Sequence, residues 1–85
     1  MIVKEYRIEV RVVPRRGILD PQGKAVAGAL ASLGFQRIGD LHVGRLVTLD
    51  LAAETADAAR ETAVTMCRQL LANPVTEEFS VEVRE

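Results

Sequence analysis

Between Glu5 and Val12 apolar and charged residues alternate without a break, with Tyr6, Ile8, Val10 and Val12 on one parity and Glu5, Arg7, Glu9 and Arg11 on the other. A period of two sends successive side chains to opposite faces of a strand, so this segment demands a sheet with one dry face and one wet face. Pro14 lacks an amide donor and runs into Arg15, Arg16 and Gly17, so strand pairing should end near Val13. The same alternation returns near the other end of the sequence, with Phe79, Val81 and Val83 set against Glu78, Ser80, Glu82 and Arg84. Two half-apolar strands far apart in sequence must therefore share a core, and the residues between them must cover it.

Two intervening segments have helical signatures. Asp20-Pro21 is a helix start: the carboxylate can accept an orphan amide hydrogen bond, and proline costs nothing at the first helical position. Gly34 marks the other end, and Val26, Leu30 and Leu33, with Ala29 beside them, form a narrow apolar stripe. Gly23 and Gly28 weaken this helix, so either the backbone is closely approached there or the helix depends on tertiary packing. A longer helix is expected from about Ala53 to Ala72, where Ala56, Ala59, Ala63, Met66 and Leu70 recur at steps of three and four. Asn73-Pro74 stops it, because the residue before proline avoids the helical region.

Residues 36–51 hold two further apolar stretches around Gly44. A three-residue loop, Gly44 to Leu46, would set Val43 opposite Val47 and Leu41 opposite Leu49, bringing both apolar sets to one face. The expected order is strand, helix, strand, strand, helix, strand: an α+β, βαββαβ two-layer sandwich in one domain over 1–85, a small antiparallel sheet with both helices on one face. Strand order is not fixed by the pattern. With the first and last strands taken as the exposed ones, chain-to-chain pairing at sheet edges is the expected route to an oligomer.

An oligomer is also what the composition asks for. The sequence has 85 residues, and a domain of this size buries only about 60% of its unfolded surface. Aromatics are 4% of it, and its single cysteine and single histidine can supply neither an internal disulfide nor a structural zinc site. A net charge of −1 gives no basic field for nucleic acid. Charged residues from Lys4 to Arg11 break any run of signal or membrane-span length, so a cytoplasmic protein is expected.

The candidate chemistry is sparse. His42, with Asp40 on its own side of the chain, reads as a surface or interface histidine, and Cys67 as a buried thiol with nothing to activate it. The glycines form no dinucleotide or P-loop motif, and Asp20 would repel an anion at its own helix start. Glu77 and Glu78 point to opposite faces of a strand and cannot work as a carboxylate pair, while Arg15 and Arg16 read as a solvated loop pair. No catalytic, cofactor-binding or metal-binding residue is therefore assigned. A metal chaperone would need a cysteine pair, and an RNA-recognition module would need rings on its central strands. A small ligand-sensing regulatory domain of ferredoxin-like fold passes these tests and stands as an alternative.

Four segments together resemble a known family: Gly17-Ile18-Leu19-Asp20-Pro21-Gln22-Gly23-Lys24-Ala25-Val26, Leu33-Gly34-Phe35, Val43-Gly44-Arg45, and Met66-Cys67-Arg68-Gln69-Leu70-Leu71-Ala72-Asn73-Pro74-Val75. They are similar to PurS, the small subunit of phosphoribosylformylglycinamidine (FGAM) synthase. The resemblance implies a non-catalytic subunit in de novo purine biosynthesis. It would bridge a glutaminase subunit, PurQ, and an ATP-dependent synthetase subunit, PurL, and support ammonia transfer between them. It further implies a dimer or tetramer that binds no cofactor itself, in a complex using ATP, magnesium and glutamine. The loop from Pro14 to Asp20, the Gly44 turn and the Leu71 to Val75 helix end are the expected docking surfaces. Their candidate residues are Arg16, Gly17, Asp20, Pro21, Gly23, Gly44, Arg45, Asn73 and Pro74.

Overall fold

The long alternating segment becomes the middle of the sheet. In the computed structural model, which describes residues 2–85, the order is β1 (Lys4–Pro14), α1 (Pro21–Ser32), β2 (Arg45–Ala53), α2 (Ala56–Met66), a π-helical turn (Cys67–Leu71) and β3 (Glu77–Arg84). The sheet order is β2-β1-β3, and both pairings are antiparallel. The first strand is thus central, and the edges belong to β2 and β3. The sequence pattern misplaces β1 because alternation reports which face is buried, not how many neighbours a strand has.

The register explains the burial. Ile8 lies opposite Leu49 on one side and Val83 on the other, Val10 opposite Val47 and Val81, and Val12 opposite Phe79. These apolar rows share a face, with Ile8, Val10 and Val12 at 0% exposure and Tyr6 nearly as buried. Fully burying each such side chain contributes roughly 1.5–3 kcal/mol. On the wet face Arg7 pairs with Asp50, Arg11 with Glu82 and Arg84 with Glu9, each across strands.

One helix covers the dry face. Thr55 caps α2 by accepting from the Ala58 amide at 3.0 Å, and Asp57 sits in the first turn, where a negative charge suits the helix dipole. Ala59, Ala63 and Cys67 reach the sheet, and small side chains let the helix backbone approach it closely. The regular stripe predicted through Leu70 breaks at the π-helical turn, where the Ala72 amide donates to the Cys67 carbonyl. That wider turn shifts the helical phase: Leu70 points outward at 83% exposure, while Leu71 and Ala72 take the inward positions.

The α+β class and antiparallel sheet agree with the sequence reading, but two expected parts sit differently. The hairpin around Gly44 does not form: residues 36–44 carry no strand, and Val47 and Leu49 pair with β1 instead of Val43 and Leu41. Gly44 is pressed against the end of β1, where an added side chain would meet the Val12 carbonyl and Val13, so the chain passes straight into β2. The first helix is not in the layer that covers the sheet. Its expected stripe is open to solvent, with Val26 at 41% and Leu33 at 74% exposure, and Gly23 is its only buried residue.

Candidate functional site

All nine candidate residues gather around the end of the sheet where β1 stops and β2 and β3 start. Two hydrogen-bonded clusters share this end and meet through Val43-Gly44-Arg45.

The first cluster is built on Arg45, the opening residue of β2. Its guanidinium forks onto Glu77, with Nη1 2.7 Å from Oε2 and Nη2 3.0 Å from Oε1, and also donates to the Leu71 carbonyl. Glu77 Oε1 accepts from the Asn73 amide at 2.7 Å, and the Glu77 amide donates back to the Asn73 carbonyl. The Arg45 guanidinium, and after it the Asn73 amide, hold the Glu77 carboxyl below its ordinary value. Arg15 closes the other side: its amide donates to the Thr76 carbonyl and its Nη2 to the Pro74 carbonyl at 3.0 Å. The end of the helix layer, Asn73-Pro74, is thereby tied to the starts of β2 and β3 and to the end of β1. Beside it runs an open groove of about 600 Å³ lined by Arg15, Arg68, Pro74, Glu77, Glu78 and Phe79.

The second cluster is built on Asp20. As the α1 N-cap it accepts from the Gly23 amide at 3.0 Å, and its other oxygen accepts from the Val43 amide at 2.9 Å. Gly23 is required by close approach, since a side chain there would meet the Asp20 carboxylate and the Leu41 carbonyl. Gly28, by contrast, has open space around it. Pro21 opens the helix as expected. His42 stands between two carboxylates, with Nδ1 3.4 Å from Asp20 Oδ2 and Nε2 3.1 Å from Asp40 Oδ2. The Gly23 and Val43 amides hold the Asp20 carboxyl below its ordinary value, against the opposing effect of burial.

Arg16 and Gly17 lie on the loop between the clusters. Gly17 has φ of 80°, which a glycine takes without strain, and Arg16 is exposed. Glu77 lies outside the residues the sequence points to, and Arg15, inside the expected loop, reads from the sequence only as one of a solvated pair. The partner of Glu77 is 32 residues away and only the sheet register brings it near. The Arg45-to-Glu77 opposition of charge at two strand starts was the available signal. Cys67 lies at 0% exposure, and burial pushes its thiol up. The arrangement is one of ties between backbone ends, presenting an irregular surface of loops.

Comparison with known proteins gives this surface a context. The family model PurS: phosphoribosylformylglycinamidine (FGAM) synthase matches residues 7–85. The chain is 37% identical over 81 residues to the phosphoribosylformylglycinamidine synthase subunit PurS of Bacillus subtilis, covering 94% of each. Among solved structures it is similar to Thermus thermophilus PurS, with a TM-score of 0.83 and 37% identity over 96% of this chain and 98% of that one. It is also similar to a chain of the Thermotoga maritima PurLQS structure, with a TM-score of 0.84 and 28% identity over 94% and 98%.

Proposed function

The chain belongs to the PurS family, and we infer that it serves as the small subunit of phosphoribosylformylglycinamidine synthase in purine biosynthesis, bridging PurL and PurQ. The observation that carries this reading is the likeness, over nearly the full length of both chains, to a PurS chain from a PurLQS structure.

The subunit is non-catalytic and works by alignment. ATP, magnesium and glutamine are used by the larger subunits, and this chain holds none of them. Holding a glutaminase next to a synthetase raises the effective concentration of ammonia where it is consumed, a gain of proximity rather than of bond chemistry. The docking surface is the tied end of the sheet: the Pro14 to Asp20 loop, Gly44 and Arg45, and Leu71 to Val75. Hydrogen bonds fix this surface in advance, so a partner meets it without ordering it. The subunit acts in the cytoplasm and associates with itself as a dimer or tetramer. Among the described residues no helix is long and apolar enough to cross a membrane.

Reconstitution tests the reading. Glutamine-dependent FGAM formation by the two larger subunits should rise at least tenfold when this protein is added, while their ammonia-dependent activity should change little. No rise at any stoichiometry would overturn it. A melting temperature that climbs with free amino acid or nucleotide, in the protein alone, would favour the regulatory-domain alternative.

A further inference from the structure

The two outer edges of the sheet are not equivalent. β2 and β3 each pair with β1 on one side only, so each carries a row of backbone groups that no strand of this chain meets. Such a row is a template for an extended segment of another chain. On β3 the register tells which groups form it. The Arg15 amide donates to the Thr76 carbonyl at 2.8 Å, one step beyond the pairing of Pro14 with Glu77. The hydrogen-bonded pairs of this ladder therefore join odd positions of β1 to even positions of β3, and Pro14, which has no amide to give, falls between them. The backbone groups of Glu77, Phe79, Val81 and Val83 point away from β1, along the free edge.

Two of these positions are already held. The Glu77 amide donates to the Asn73 carbonyl, which closes the start of the edge within its own turn. Midway along the strand the Val81 carbonyl accepts from Nη1 of Arg60 at 2.8 Å. Arg60 follows Ala59, the α2 residue packed on the sheet, so its side chain leaves the flank of the helix and reaches the rim of β3. Among the described residues three arginines donate to backbone carbonyls, those of Pro74, Leu71 and Val81, and only Val81 belongs to a strand. A strand added to this edge would run about 4.8 Å from β3, through the space the guanidinium fills. It would have to displace a charged donor from its acceptor before forming its own ladder.

We propose that Arg60 is an edge guard, which closes the β3 edge to strand addition by holding the Val81 carbonyl. The edge needs one. It is eight residues long, and Phe79, Val81 and Val83 alternate along it with polar residues, the pattern of a strand that pairs readily. With both edges open, β3 of one copy could join β2 of the next, a head-to-tail contact that does not close and grows into an open-ended sheet. Closing one edge removes that route and leaves the β2 edge free. The proposal concerns which contacts the chain refuses, and it stands apart from the subunit assignment above.

Sedimentation velocity and amide hydrogen exchange test it. Arg60→Met keeps the long side chain without its donors, and should give species at least tenfold heavier than the unmodified protein at equal concentration. These should retain native circular dichroism, and exchange at the Phe79, Val81 and Val83 amides should slow at least tenfold. Arg60→Lys, which keeps a cationic donor, should sediment as the unmodified protein does. Adding Val81→Pro to Arg60→Met should restore the original size, because the Val81 amide serves no bond to β1 and proline there blocks an incoming strand. If Arg60→Met melts earlier but does not grow, Arg60 only ties α2 to β3 and the proposal is wrong. Growth that leaves those three amides exchanging freely places the new contact elsewhere and also overturns it. The unmodified protein decides the matter even if a variant misfolds: its Phe79 and Val83 amides should exchange freely, and protection there would mean that the edge is paired and unguarded.

Discussion

Asp20 shows how much one side chain can fix. Its two oxygens serve amides 20 residues apart, Gly23 at the start of α1 and Val43 just before β2, so a helix cap doubles as a clasp between α1 and the segment that leads into β2. Both bonds favour the ionised carboxylate and hold its pKa below the ordinary value. The sign follows: a carboxyl with a lowered folded value contributes stability that is complete above its unfolded pKa, about 3.9, and is lost as pH falls through the folded value beneath it. The clasp should therefore be indifferent to pH across the neutral range and open only in acid. In an NMR titration the Gly23 and Val43 amide signals should move together with a midpoint below that of an ordinary aspartate, and Asp20→Asn should abolish that movement. A midpoint at or above the ordinary carboxylate range would mean that the amides do not hold the charge. Arg45 is a comparable single point: its fork onto Glu77 and the Leu71 carbonyl joins β2, β3 and the helix end, and no lysine could reproduce that planar geometry.

At the scale of elements, α2 is a helix chosen for thinness. Ala59 and Ala63 lie at 0% exposure against the buried side chains of β1, so the space between the layers is already filled. Ala63→Leu should cost about 1–3 kcal/mol by overpacking, read from chemical denaturation. Leu70→Ala should stay within about 0.5 kcal/mol, because the π-helical turn has taken Leu70 out of the stripe at 83% exposure. A cost of about 2–5 kcal/mol for Leu70→Ala, as for a buried leucine, would instead mean a regular helix through that point. These two positions mark where sequence reading succeeds and stops. The cap Asp20-Pro21 and the stop Asn73-Pro74 are local and legible, and the start of α1 and the end of the second helical segment follow from them, whereas the Thr55 cap sets the start of α2 later than the Ala53 that composition suggests. The phase after Cys67 depends on packing, and the stripe alone extends it wrongly. The Gly44 hairpin fails for a related reason: the alternation of Leu41, Val43, Val47 and Leu49 is compatible with a hairpin, but the pressure of β1 on Gly44 is invisible until the sheet register is known. The candidate site was legible as a set of loops, while its internal ties, Arg45 to Glu77 and Asp20 to Val43, depend on that same register.

For the whole molecule, the question is what keeps so small a core folded. Among the described residues eight form the buried cluster, four of them on one strand, and none of the eight comes from α1. A lone domain of this size sits near balance between buried area and chain entropy. In a self-associating subunit whose exposed helix and open sheet edge are covered by another copy, folding and association become one equilibrium. Stability then depends on concentration, because mass action favours the associated folded state. A tenfold rise in protein concentration adds RT ln 10, about 1.4 kcal/mol per dimer or ~0.7 per chain. For a domain of this length that should raise the melting temperature by about 3–5 °C. Melting curves recorded across two decades of concentration should therefore climb in steps of that size, and those of Phe35→Glu should lie lower and nearly flat. A melting temperature independent of concentration in the unmodified protein would mean that the three-stranded sheet and α2 are self-sufficient, and that α1 contributes to contact with other chains but not to the fold.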